Sequence, residues 1–153
     1  MRKIDCILLI DDSPSTNFYN KKIIEKANIK AEVFEVFNGL EALDFLKKQN
    51  KFEGQDILKP NIIFLDINMP KMDGFEFLKE YSKLPKENRC DVIVVFLTTS
   101  TWSKDKIKAI ENDLIYGFIE KPLTNKELQK VIVHYDQLED LDINPSLVSL
   151  QNI

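Results

Sequence analysis

The chain has 153 residues, enough for one domain with a proper core, and its 44% hydrophobic and 30% charged content is that of an ordinary globular protein. A net charge of -4 argues against direct binding of nucleic acid, and no apolar stretch approaches the roughly 20 residues of a membrane span. Met1 to Asp5 lacks the apolar length of a signal peptide, and Cys6 and Cys90 show neither metal spacing nor a disulfide framework, so both read as reduced thiols in a cytoplasmic protein.

In chain order the pattern alternates strand and helix five times, which predicts a parallel sheet covered on both faces. Ile4 to Ile10 reads as the first strand. Pro14 opens a helix to about Asn28, with Phe18, Ile23, Ile24 and Ala27 as core candidates. Ala31 to Val36 is a shorter strand of alternating polarity, expected nearer an edge. Asn38 and Glu41 read as a cap and its partner for a helix through Gln49, with Ala42, Leu43, Phe45 and Leu46 inward. Asn50 to Pro60 reads as a long polar loop.

The third strand, Asn61 to Asp66, is apolar throughout between its two end residues and therefore central. Asp73 and Glu76 again look like a cap and partner, starting a helix toward Tyr81. Asp91 to Leu97 is the fourth strand, Ser103 to Asp113 a charged fourth helix, and Tyr116 to Glu120 the fifth strand. Thr124 and Glu127 open a fifth helix with Leu128, Val131 and Ile132 inward. His134, late in that helix, reads as a surface residue.

Polar groups end these apolar runs. Asp11 and Asp12 follow the first strand, Asp66 the third, Thr98-Thr99-Ser100 the fourth and Lys121-Pro122 the fifth. Parallel strands converge at their carboxyl ends, so these groups are expected at one site. Crowded carboxylates repel, and a hard divalent ion such as Mg²⁺ relieves that with oxygen ligands. Asp66 is placed to act as a nucleophile toward a phosphoryl group, with Lys121 as a neutralising point charge.

With these residues in view, the chain resembles the receiver domain of bacterial two-component response regulators. The resemblance is carried by Asp11-Asp12, by Asp66-Ile67-Asn68-Met69-Pro70-Lys71-Met72-Asp73-Gly74, by the Thr98 region and by Lys121-Pro122, and it spans about Ile4 to Tyr135. It implies an α/β, doubly wound, flavodoxin-like fold: a five-stranded parallel sheet in the order 2-1-3-4-5 with helices on both faces. It further implies that Asp66 is the phosphoacceptor, Asp12 a direct Mg²⁺ ligand, Asp11 a ligand mainly through water, and the backbone carbonyl of Asn68 a third protein ligand. Lys121 would contact the phosphoryl group beside a cis peptide to Pro122, and Phe118 would be the switch aromatic. The switch hydroxyl falls on Thr99 when counted back from Lys121 and on Thr98 when counted forward from the strand. Thr98 is the reading adopted, because a loop near Asp113 to Ile115 absorbs the one-residue difference.

The resemblance also implies partners: a sensor histidine kinase or histidine phosphotransfer protein as donor, and a downstream protein target in trans, reached through the face of helix four, strand five and helix five. Neither nucleic acid nor membrane is an expected partner. Residues 1–137 are taken as the receiver and 138–153 as a tail without an output domain, which could dock on the domain, mediate dimerisation or be disordered. Trp102, at the start of the fourth helix, is a candidate anchor for a partner. Two rival readings stand beside this one. A haloacid-dehalogenase-like phosphatase would need a second acid where Asn68 stands, and a phosphorylation-independent pseudo-receiver usually lacks an acid, the acceptor or the lysine, all present here.

Overall fold

The structure is a computed structural model and describes residues 3–89, 93–98 and 114–141. Five strands, β1 (Cys6–Ile10), β2 (Glu32–Val36), β3 (Ile62–Asp66), β4 (Ile93–Thr98) and β5 (Gly117–Glu120), form one parallel sheet in the order β2-β1-β3-β4-β5. This is the expected order, with β2 at an edge.

The period of two along β1 and β3 creates two cores from one sheet. Cys6, Leu8, Ile10, Ile63 and Leu65 point to one face, where they meet Phe45 and Leu46 of α2 (Gly39–Lys47) and Phe77 and Leu78 of α3 (Gly74–Tyr81). Ile7, Leu9, Ile62 and Phe64 point to the other, against Ile24 of α1 (Pro14–Lys26) and Leu128 and Val131 of the C-terminal helix (Asn125–Leu141). All five residues of β1 and of β3 are buried, as their lack of polar alternation requires.

The helix starts follow capping chemistry. Asn38 accepts the Glu41 N–H at 2.8 Å, although the Glu41 carboxylate turns away to Lys51 instead of closing a capping box. Asp73 and Glu76 do form the reciprocal box, and Thr124 accepts the Glu127 N–H at 3.2 Å. Ser13 caps α1 through the Thr16 N–H with Pro14 just inside the helix.

Three expectations need correction, and the last helix runs longer than expected. Phe18 is 59% exposed; the inward places on α1 are taken by Asn17, Asn20 and Ile24. The cause is hydrogen bonding: the Asn17 side-chain amide donates to the carbonyls of Asp11 and Val36, both at 3.1 Å, stitching the ends of β1 and β2. The polar segment after α2 is anchored, because a 3-10 turn (Asn50–Phe52) buries Phe52 against Phe45, which in turn packs on Phe34 of β2. His134 is half-buried, edge-on to Tyr116 with its Nδ1 enclosed, and burial holds its pKa below the ordinary value. The C-terminal helix runs to Leu141, past residue 138 where the tail was expected to begin. Cys90, Thr99, Ser100, Trp102, the expected fourth helix and residues 142–153 lie outside the described residues.

Two polar or tight contacts organise the ends of the sheet. At the amino end, the Asn61 carbonyl oxygen of the side chain accepts the N–H groups of Asp5 and Cys6, at 2.8 and 3.0 Å, while its amide donates to the Tyr135 hydroxyl at 2.9 Å. Asn61→Ala strips the partner from two partly buried N–H groups, and we expect a loss of about 2–3 kcal/mol in urea unfolding. Tyr135→Phe, which removes the hydroxyl that accepts from Asn61, is expected to cost about 1 kcal/mol. At the carboxyl end Gly39, the first residue of α2, meets the loop that follows β3. A Cβ at position 39 would lie 2.8 Å from both Cγ and Sδ of Met72, so only glycine fits without displacing that methionine.

Candidate functional site

The carboxyl ends of the strands deliver the site. Asp11 is the residue after β1, Asp66 the last residue of β3, and Lys121 the residue after β5; Thr98 closes β4, with its backbone in register with Glu120. One carboxylate oxygen from each of Asp11, Asp12 and Asp66 lies within 4.8 Å of the other two. Asp11 and Asp66 are buried, at 2% and 5% exposure, and Asp12 is exposed at the mouth.

Lys121 is the counter-charge. Its Nζ sits 2.6 Å from Asp11 Oδ2 and 3.2 Å from Asp66 Oδ1, so one ammonium bridges the two buried carboxylates. The other oxygen of Asp11 accepts the Ser13 N–H at 2.9 Å. Asp11 is thus held from two sides, by a lysine 110 residues away and by the cap residue of its own helix.

One lysine does not balance three acids. Burial pushes Asp66 up from its ordinary 3.8 to about 6, with the neighbouring Asp11 charge acting in the same direction and Lys121 acting against both. For Lys121, burial alone would lower the pKa, but the hydrogen bond to Asp11 and the charges of Asp66 and Asp11 outweigh it and the net shift is upward. The lysine therefore stays charged, and the residual strain in the site is borne by Asp66.

The loop after Asp66 is tightly wound. Met72 N–H donates to the Pro70 carbonyl at 2.7 Å, Gly74 N–H to the Ile67 carbonyl at 2.8 Å, and Lys71 takes a left-handed φ of 66°. Asn68 is exposed in this loop, two residues beyond Asp66. The Lys121-Pro122 peptide is cis, as expected. Phe118 is half-buried on β5 and packs toward the core beneath α2 and α3.

Residues 7–133 match the response regulator receiver domain family. The chain belongs to that family. This receiver is 33% identical to the response regulator Rcp1 of Synechocystis sp. over 126 residues, 82% of each protein. Over 133 residues it is 32% identical to the sensor histidine kinase CheAY of Helicobacter pylori, covering 87% of this chain and 15% of the kinase. Among solved structures, a two-component response regulator from Cytophaga hutchinsonii superposes with a TM-score of 0.76 at 31% identity, covering 89% of this chain and 99% of that one. The Mn(2+)-bound form of Rcp1 superposes with a TM-score of 0.66 at 32% identity, over 90% of this chain and 93% of that one.

The fold class and the acidic cluster of a two-component receiver are therefore both present. No helix among the described residues is long and apolar enough to cross a membrane. Of the residues singled out from the sequence, the structure brings together the side chains of Asp11, Asp12, Asp66 and Lys121, and it places Asn68 and the backbone of Thr98 at the same end of the sheet. Sequence reasoning missed Ser13 and Asn17, which hold Asp11 by its carboxylate and its carbonyl. A Ser-Pro pair directly after two aspartates was the available signal for Ser13. Asn17 had none, because a helical asparagine reads as solvent-facing.

Proposed function

We propose that this receiver is a phosphoswitch: it takes a phosphoryl group from a histidine kinase or a histidine phosphotransfer protein onto Asp66 and passes the signal to a protein target in trans. The observation that carries this reading is the bridging of two buried carboxylates by Lys121, with a third carboxylate within 4.8 Å. A divalent cation fits this set, because the donors are hard oxygens and the site carries more negative charge than its lysine offsets.

Asp12 would hold Mg²⁺ directly, Asp11 mainly through water, and Asp66 and the Asn68 backbone carbonyl would complete the protein's share. The ion supplies neutralisation of the charge on the transferring oxygens. An Asp66 carboxylate oxygen forms the bond to phosphorus while the bond from phosphorus to the donor imidazole nitrogen breaks, and the imidazole leaves. Asp66 must be ionised for this step, so the acceptor works above about pH 6, or lower once a cation favours the carboxylate. Lys121, already between Asp11 and Asp66, binds an oxygen of the transferred group. Thr98 is assigned the switch hydroxyl and Phe118 the aromatic that follows it, with the output on the face of the expected fourth helix, β5 and the C-terminal helix. Residues 1–137 carry the receiver in this reading, and its setting is the cytoplasm.

The test is the intact mass of the protein after incubation with Mg²⁺ and a small acyl-phosphate donor, beside an Asp66→Asn variant. One phosphoryl adduct on the wild type and none on the variant is the expected result. A wild type that neither gains the adduct nor binds beryllofluoride with Mg²⁺ would sink the phosphoswitch reading.

A further inference from the structure

Both peptide planes that flank Asp12 are pinned, and the carboxylate between them is left free. Behind Asp12, the Asp11 carbonyl accepts the Asn17 side-chain amide at 3.1 Å. Ahead of it, the Ser13 N–H donates to Asp11 Oδ1 at 2.9 Å. A peptide unit is planar, so holding the units on both sides leaves Asp12 little freedom in φ and ψ. Among the described residues nothing bonds the Asp12 carboxylate itself, although one of its oxygens lies within 4.8 Å of one oxygen each from Asp11 and Asp66.

The two pins differ in what they are tied to. Ser13 ends on the Asp11 carboxylate, whose other oxygen is 2.6 Å from Lys121 Nζ, so that pin answers to the charges of the site. Asn17 ends on backbone alone. Its amide gives its second hydrogen to the Val36 carbonyl at 3.1 Å, which also takes the Asp11 N–H at 3.1 Å. β1, β2 and α1 thus meet at one side chain, fully buried at 0% exposure.

That side chain also carries a cost. Asn17 Oδ1 is buried with no hydrogen-bond partner, a loss of stability that an apolar residue would avoid. Asn20, one turn further along α1, is a matched case. It is 2% exposed and its Oδ1 is equally buried and unpartnered, but its side chain makes no bond to either strand end.

We propose that Asn17 is a positioning residue for the cation: through the Asp11–Asp12 peptide it aims Asp12 at the point where the three carboxylates converge. The cation itself rests on the phosphoswitch reading above. Asn17 touches neither the ion nor the phosphoryl group. Groups that orient a metal ligand from behind commonly account for roughly ten- to a hundredfold in affinity.

The test is Mn²⁺ affinity, since Mn²⁺ shares the preference of Mg²⁺ for hard oxygen ligands. It is read from the free-ion signal in electron paramagnetic resonance, on the full-length wild type, Asn17→Ala and Asn20→Ala. Asn17→Ala should weaken binding about tenfold or more. Asn20→Ala should leave it unchanged, although both variants truncate a buried asparagine of the same helix. At saturating Mg²⁺, Asn17→Ala should take a phosphoryl group from a small acyl-phosphate donor at the wild-type rate. General loosening of the fold would not give that split between affinity and maximal rate. Should amide NMR show Asn17→Ala unfolded, Asn17→Val, which fills more of the space, takes its place. Wild-type affinity in a folded Asn17 variant, or equal losses in the two alanine variants, overturns the proposal. A wild type that binds no Mn²⁺ overturns it too. A wild type that binds Mn²⁺ but takes no phosphoryl group counts against the phosphoswitch alone, and the affinity ratio of the variants still decides the role of Asn17.

Discussion

Lys121→Met should cost on the order of 3–5 kcal/mol in the metal-free protein at neutral pH, measured by urea unfolding. The lysine side chain is 15% exposed and its two partners 3% and 7%, so solvent cannot replace the missing ammonium. Removing one partner of a buried pair leaves the other uncompensated, and here one removal strands two carboxylates. The protein's escape is to protonate Asp66, which already sits at about 6 and would titrate higher still. Lys121→Met combined with Asp66→Asn should therefore lose much less than the sum of the two changes predicts. A coupling above about 1 kcal/mol in that double-mutant cycle is expected. Should Lys121→Met alone cost less than about 1 kcal/mol with no coupling, the bridge would be a bystander to stability.

Asp66→Asn alone should make the metal-free protein more stable at pH 7.5, opposite to the usual result of altering a buried residue. The folded state holds the Asp66 proton up to about pH 6, while the unfolded chain releases it near 3.8. A folded pKa above the unfolded one contributes stability that is complete below pH 3.8 and is lost as the pH rises through about 6. Above that range the loss is on the order of 3 kcal/mol, which the amide avoids. The expected rise in Tm is roughly 5–10 °C for a chain of this length. Two controls give the claim its shape. At pH 4 the two proteins should melt together, and saturating Mg²⁺ should raise the wild type far more than the variant. Equal Tm values at pH 7.5 would contradict a strained Asp66 carboxylate.

How far the sequence alone leads depends on whether a position answers to its neighbours in the chain or to its neighbours in space. β1 and β3 were legible because five consecutive buried residues leave no other solution than a central strand, and the groups after them had to converge. Asp11, Asp66 and Lys121 were legible for the same reason, since strand ends in a parallel sheet define a place. Phe18 was misread because helical periodicity ranks an aromatic above an asparagine, whereas Asn17 goes inward to satisfy two carbonyls that only the assembled sheet presents. Phe52 and Ile57 hid in a polar stretch, where single apolar residues carry no period to detect. His134 reads as surface along its own helix, whereas in the fold Tyr116 packs against it edge-on. The sharing of Lys121 between Asp11 and Asp66 rests on contacts of 2.6 and 3.2 Å, the first across 110 residues of chain, below anything a spacing rule can express.

Gly39 offers a mechanical handle on the loop after Asp66 that touches no charge. Its missing side chain is the space that Met72 fills, and Met72 belongs to the short stretch between Asp66 and α3. A methyl group there would push on the loop from outside, leaving the acids and the lysine chemically intact. Because Met72 is unbranched, a shorter side chain at 72 could take the load back. The pair is a tunable spacer, by which the rate of events at Asp66 could be adjusted by volume instead of by electrostatics.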